Sequence, residues 1–429
     1  MICSFSKKST ECPVISKTSG YIFDKLLIEK FILDSGKCPI TGEPLSMDDI
    51  VLVRTPKIPD AETVDMSSSS NSKTVEEIDC QRMLDDMVEA IRESSARLRR
   101  FRRNSREIPT SLASADALQN CMLSGTHHLH KADMPGILSL DIDISKDIIA
   151  TGGADANAIV YDQVSGNVIS ALEGHTKQVT SIKFVKEGEL VITGSADSTV
   201  RVWQRSEGGS YKYKHILDHH TDEVQAVMIH PIQTYLITAS LDCTWNLYDI
   251  SHDFRIVACA KGSERFTTAA FHPDGHVIGT GTSRFVRFWD VSKQDDIFKI
   301  DAHAAPVSSI AFSENGYHLA TAAEDGVKLW DLRFIRTLMT FPSDLKTGTR
   351  PIDFDYSGLY LASGGSHISV YDIASAPKYG TIATFSDYSG IANITSLKFG
   401  KDAKYIAAGS QDSKLLLFSS PKNDELMDC

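Results

Sequence analysis

Val179-Thr-Ser-Ile-Lys-Phe-Val185, Leu190-Val-Ile-Thr193, the turn Gly194-Ser195-Ala196-Asp197, Thr199-Val-Arg-Val-Trp203 and Tyr213-Lys-His-Ile-Leu217 make up one unit of a repeating chain. The first stretch alternates apolar and polar residues. The second is a short apolar run, and the stretch after the turn ends on an aromatic residue. Period-two runs of β-branched and aromatic residues between Gly/Asp turns predict antiparallel strands, here four to the unit. The closing aromatic recurs at Tyr161, Trp203, Tyr248, Trp289, Trp330, Tyr371 and Phe418, at intervals of 41 to 47 residues. Asp follows in Tyr161-Asp162, Tyr248-Asp249, Trp289-Asp290, Trp330-Asp331 and Tyr371-Asp372. One such unit cannot bury both faces alone, so the units must stack on each other.

The interval and the aromatic–Asp dipeptide resemble the WD-repeat family. The resemblance implies a mainly β fold: a seven-bladed β-propeller over 130–420, followed by a tail at 421–429. Such rings commonly borrow a strand from before the first repeat to complete the last blade, which points to Leu123–Leu129. It also implies a buried set of His, Ser/Thr, Asp and Trp in each blade. Here that set is His175, Thr193 or Ser195, Asp197 and Trp203. His130 with Asp155, His220 with Asp242, and His303 with Asp325 and Trp330 repeat it. A pattern that recurs blade after blade reads as structural hydrogen bonding, because buried polar groups need partners. Blades four and six depart, with Ser283-Arg284 and Ser366-His367 where the turn Asp is expected.

The chain has 429 residues, 42% of them hydrophobic, and a net charge of −12. That balance opposes wholesale nucleic-acid binding, which needs a basic face. No apolar run is long enough to span a membrane, and the N-terminus lacks the layout of a secretory leader. The cysteines at 3, 12, 38, 80, 121, 243, 259 and 429 form no C-x-x-C pair. They read as reduced thiols of an intracellular protein, with no metal site and no cofactor expected.

Residues 1–56 form a separate module. Cys12-Pro13-Val14-Ile15 is a short apolar segment, and Tyr21-Ile22-Phe23 leads into a second strand. Asp24 can cap a helix over Lys25–Leu33, with Leu27, Ile28, Phe31 and Ile32 as its apolar face and Gly36 as its stop. A loop Cys38–Leu45 follows, then Ser46-Met-Asp-Asp49 reads as the start of another helix. This layout, with Phe23–Phe31, Pro39-Ile-Thr and Pro44-Leu45-Ser46, resembles the U-box, a zinc-free relative of the RING domain.

A U-box at the N-terminus, a helical segment and a WD-repeat propeller in that order resemble the pre-mRNA-processing factor 19 family, its plant members most of all. Pro135-Gly-Ile-Leu138, Phe271-His-Pro-Asp-Gly275 and Phe312-Ser-Glu-Asn-Gly-Tyr317 support the match. The resemblance implies a nuclear U-box ubiquitin–protein ligase that scaffolds a spliceosome-associated complex, with links to pre-mRNA splicing and DNA repair. Its partners would be a ubiquitin-conjugating enzyme carrying ubiquitin and other proteins of that complex. The ligase would supply no nucleophile. Aligned to the motif, Phe5, Phe31 and Pro39 would contact the conjugating enzyme. Gly42 stands where several active U-boxes carry a basic residue. Alternatives are a splicing scaffold without activity, or a WD-repeat receptor of a cullin-type ligase using Arg333 in Trp330-Asp331-Leu332-Arg333.

The middle segment, 57–129, reads as a linker with a short coiled-coil-like helix over Glu76–Arg103. Leu84, Ile91 and Leu98 share one heptad position, and Cys80, Met87, Ser94 and Phe101 another. The family uses a longer coiled coil here for homo-oligomers; this one is shortened, with a defect at Ser94. Arg97, Arg99, Arg100, Arg102, Arg103 and Arg106 offer a nuclear localisation signal or an RNA contact.

Overall fold

The computed structural model describes residues 13–16, 22–24, 28, 32, 37, 50–52, 75–105, 108–131, 136–342, 351–374, 379–385 and 393–421. The chain divides into two units, Met1–Ser72 and Lys73–Cys429. In the first, strands β1 (Pro13–Ser16), β2 (Ile22–Asp24) and β3 (Ile50–Leu52) form an antiparallel sheet with β1 in the centre. Val14 lies opposite Phe23 on one side and Leu52 on the other. Ile28 and Ile32, one helical turn apart, are helical and buried. A helix starting at Ser46 would continue through Ile50–Leu52, and these residues instead pair with β1. Two adjacent β-branched residues, Ile50 and Val51, favour the strand.

The second unit is a propeller of seven four-stranded antiparallel sheets. The blades begin at Ile137, Val179, Val224, Thr268, Ser309, Ile352 and Ile394, and in the first six the strands lie side by side in chain order. The last blade has only three strands from its own repeat, ending with Lys414–Ser419. Strand β4 (Met122–His128) supplies the fourth, with Leu416 opposite Thr126. The first and last parts of the propeller are thus tied by one sheet, and the last blade has four strands like the others.

Burial follows position in the blade. The second strand of blade two, Leu190–Ser195, is buried at every residue, because adjacent blades cover both of its faces. The fourth, Tyr211–Leu217, is mostly exposed or half-buried. The cores lie between blades: Ile192, Val200 and Val202 pack with Val224, Val227, Leu236 and Tyr248 of blade three. Each such side chain removed from water contributes about 1.5–3 kcal/mol.

The segment before the propeller is part of it. Helix α1 (Val75–Ser105) buries Met87, Ile91, Ser94 and Ser95, with Val88, Leu98 and Arg102 half-buried. That spacing is one stripe of a helix. Met87 and Ile91 share a cluster with Ile237, Trp245 and Leu247 of blade three and Trp289 of blade four. Short helix α2 (Ala115–Gln119) is capped by Ser114, whose Oγ accepts from the Ala117 N–H at 3.2 Å. Leu118 and Cys121 enter the core of blades six and seven. Ala113 donates its N–H to the Asp402 carbonyl at 2.9 Å, and Tyr360 Oη donates to the Ala113 carbonyl at 3.0 Å.

Candidate functional site

The conspicuous titratable groups of the propeller are its histidine–aspartate pairs. His175 stands in the loop before blade two, Asp197 in the turn between its second and third strands, and Trp203 on the third. His175 Nδ1 is 2.9 Å from Asp197 Oδ2, and Nε2 is 2.8 Å from Thr193 Oγ1. Trp203 Nε1 donates to the same Oγ1 at 3.0 Å. Blade five repeats the set: His303 to Asp325 at 2.5 Å, His303 to Thr321 at 2.8 Å, and Trp330 to Thr321 at 2.9 Å. His130 and His220 pair with Asp155 and Asp242 at 2.9 and 3.0 Å.

Burial pushes each of these histidines below its ordinary pKa, and the aspartate beside it only partly offsets that. Burial opposes the charge on Asp197 too. Hydrogen bonds from the Thr199 hydroxyl and the Thr176 backbone, with His175 beside it, outweigh this and hold it at about 2. The hydroxyl, imidazole and carboxylate are linked as in a proton relay, but Thr193 and His175 are buried and Trp203 also holds the hydroxyl, so no substrate can reach it. These sets brace turns.

Blade four is built differently. The hydroxyls of Thr180 and Thr267 both donate to the backbone of the following blade, which aligns blades two and four. Gly262 then occupies the place of His175. A Cβ there would lie 2.7 Å from the Phe266 ring. Phe266 is fully buried and meets Trp289 edge-on, ring centres 5.9 Å apart. An aromatic pair thus stands where blades one, two, three and five have an imidazole. At the turn, Arg284 forks onto Asp301 at 2.7 and 2.5 Å, while Arg287 bridges Asp296, Ser263 and Glu264. In blade six, Ser366 and His367 bond each other at 3.1 Å, and Tyr371 takes the place of the tryptophan.

Two histidines were not singled out from sequence. His230 Nε2 is 2.9 Å from the Gly275 carbonyl, and His272 Nε2 is 3.0 Å from the Gly316 carbonyl. Each clasps the next blade. Burial lowers both to about 4, against the pull of the carbonyl each faces. The visible signal was His-Pro in both turns, His230-Pro231 and His272-Pro273.

The central channel, about 610 Å³, is lined by Lys183, Lys398, Gln178, Gln225 and Glu324 among hydroxyl and aliphatic residues. Both lysines are already paired, Lys183 to Asp141 at 2.7 Å and Lys398 to Asp353 at 2.5 Å. Arg333 forks onto its own Asp331 at 3.0 and 2.8 Å and lies over the Tyr317 ring, 5.0 Å from its centre. Among the described residues, no cluster of His, Cys, Asp or Glu could hold a metal ion, and no helix is long and apolar enough to cross a membrane. Phe5, Phe31, Pro39 and Gly42 lie outside the described residues.

Seven blades, one strand closing the ring, and threonine-centred His–Asp–Trp sets define a WD-repeat β-propeller protein. Residues 136–419 match the family model described as the IFT122 first β-propeller. Over its whole length the chain is 38% identical to pre-mRNA-processing factor 19 of Oryza sativa, covering 99% of that protein. It is 37% identical to pre-mRNA-processing factor 19 homolog 2 of Arabidopsis thaliana and 28% identical to the Homo sapiens protein, covering 98% and 99% of them. The chain belongs to the pre-mRNA-processing factor 19 family. The alignment with the rice protein spans 521 positions, so that relative carries segments that this 429-residue chain lacks.

Proposed function

We propose that the chain is a U-box ubiquitin–protein ligase and a scaffold of a spliceosome-associated complex in the nucleus, acting in pre-mRNA splicing and DNA repair. The supporting observation is that the match to proteins named for pre-mRNA processing runs through both units, the N-terminal module included. The small sheet and the buried pair Ile28 and Ile32 agree with the strand–helix layout of a U-box. Its conjugating-enzyme surface would comprise Phe5, Phe31 and Pro39.

The transfer needs no nucleophile from this chain. The conjugating enzyme holds ubiquitin as a thioester. A substrate lysine amine attacks the thioester carbonyl, an isopeptide bond forms, and the cysteine leaves as thiolate. The U-box contributes by restraining the charged enzyme beside the propeller's cargo, which is catalysis by proximity and orientation.

Autoubiquitination with a panel of conjugating enzymes tests this reading. Wild type should build chains, while Phe5→Ala and Pro39→Ala should lower the rate without changing the Tm of the propeller. No chains from the wild type with any enzyme of the panel rules out the ligase. That outcome leaves the second reading, a splicing scaffold without transfer, which Gly42 favours because it has no charge to hold ubiquitin.

A homo-oligomer through α1 is part of the family resemblance. Met87 and Ile91 are buried with the propeller, while Phe101 is exposed. An α1 coiled coil therefore requires the helix to leave the propeller. Light scattering on wild type and on Ile91→Asp, which weakens docking and any α1 coiled coil, measures whether wild type forms an oligomer that depends on this seam.

A further inference from the structure

We propose that the face made by the end of α1 and the turns of blades four to six binds single-stranded RNA. In each blade the turns joining strands one to two and three to four lie on the same side of the ring. That side carries Tyr317 and Phe334 in blade five and Tyr356 in blade six. Their exposures are 45%, 67% and 63%. Large aromatic rings are normally withdrawn from water, and here three stand on neighbouring turns of one face. Arginines are layered among them. Arg333 sits over both Tyr317 and Phe334, at 5.0 and 5.6 Å, and Arg336 over Phe334 at 5.3 Å.

Docking of α1 extends this surface. Arg99 and Arg102 line a small cavity of about 160 Å³ together with His272, Asp274, Asn315 and Tyr317. Tyr317 thus joins the aromatic patch to the arginine-rich end of the helix. Asp331 neutralises Arg333, and Asp274 pairs with Arg102. The remaining positive charge comes from exposed Arg97, Arg99 and Arg100 on α1 and Arg336 in blade five, set against Glu314, Asp295 and Asp372 on the turns of the same face.

Exposed rings with guanidinium groups between them suit a chain of stacking bases and phosphates. An acidic peptide would satisfy the charge but not the rings. The net charge of −12 does not prevent binding, because screening confines repulsion to about 8 Å at physiological ionic strength, so the sign of the local patch decides.

Fluorescence anisotropy of a short labelled single-stranded RNA with the full chain tests the proposal. Wild type should bind, with affinity falling as salt rises. Phe334→Ala with Arg336→Glu should raise Kd about tenfold. Arg99→Glu should also weaken binding and reduce the slope of log Kd against log salt by about 0.7. Arg284→Glu, the same charge change on the opposite face, should leave Kd unchanged. Each variant's Tm is measured to confirm that it folds. The proposal is overturned by no binding at low salt, by variants that bind as wild type does, by equal loss in Arg284→Glu, or by equally effective displacement of the RNA by a glutamate-rich peptide.

Discussion

Arg102, near the end of α1, forms an ion pair with Asp274 in the first turn of blade four. Together with the burial of Met87 and Ile91, it makes the helix a component of the propeller. The pair is mostly sheltered from water, with side-chain exposures of 14% and 19%. The energetic weight still lies with the apolar stripe, since the desolvation of two sheltered charges offsets most of their attraction.

Ile91→Ala should therefore weaken docking of α1 by about 2–4 kcal/mol. Replacing both charges of the pair, Arg102→Met with Asp274→Leu, should cost about 1 kcal/mol or less. Hydrogen exchange will show the difference. Amides across residues 85–102 should lose protection in Ile91→Ala while those of blade two keep theirs. Unchanged exchange would mean that the helix is held some other way.

Thr193 Oγ1 is shared by His175 Nε2 and Trp203 Nε1. Thr193→Val keeps the shape and removes both bonds. Two buried groups then go unpaired, for a loss of about 1–3 kcal/mol or more in unfolding free energy. Denaturant unfolding measures it, and a neutral result would assign the hydroxyl no structural part.

Blade four should resist conversion to the common pattern. Gly262→His places a side chain against the Phe266 ring, and overpacking typically costs about 1–3 kcal/mol. Adding Phe266→Val should recover part of the loss. A rise in Tm from Gly262→His alone would show that the aromatic pair is not what excludes the imidazole.

Stability should fall on acidification in two stages. His230 and His272 are held neutral in the fold, at about 4, and have an ordinary value of 6.5. Their contribution is complete above pH 6.5 and is lost as pH falls toward 4, because the unfolded chain takes up protons that the fold refuses. The loss is about 3 kcal/mol per histidine at most. Asp197 adds to it below its ordinary 3.8, since its folded value is about 2. His230→Gln, which can still donate to the Gly275 carbonyl, should flatten the first stage in Tm against pH. An unchanged slope would place the proton uptake elsewhere.

Much of the fold was legible in the chain because a blade is a local object. Alternation along Val179–Val185, the turn at Asp197 and the aromatic at Trp203 lie within one repeat, and repetition removes ambiguity about register. The histidines of the blade sets were legible for the same reason. His230 and His272 were not, because their partners are carbonyls of the next blade and carbonyls leave no trace in sequence. The cavity between Arg99 and Tyr317 was hidden for a similar reason: its two sides come from distant parts of the chain.

The number of blades, the strands within them, the helix around Ile91 and the family are all readable from the chain. What that helix packs on depends on residues far from it in the chain. An apolar stripe with small serines at 94 and 95 specifies that one face must leave water, and a second helix or a blade edge satisfies that equally. The choice fell to the propeller, where the cluster around Trp245 and Trp289 receives Met87 and Ile91 and Asp274 receives Arg102.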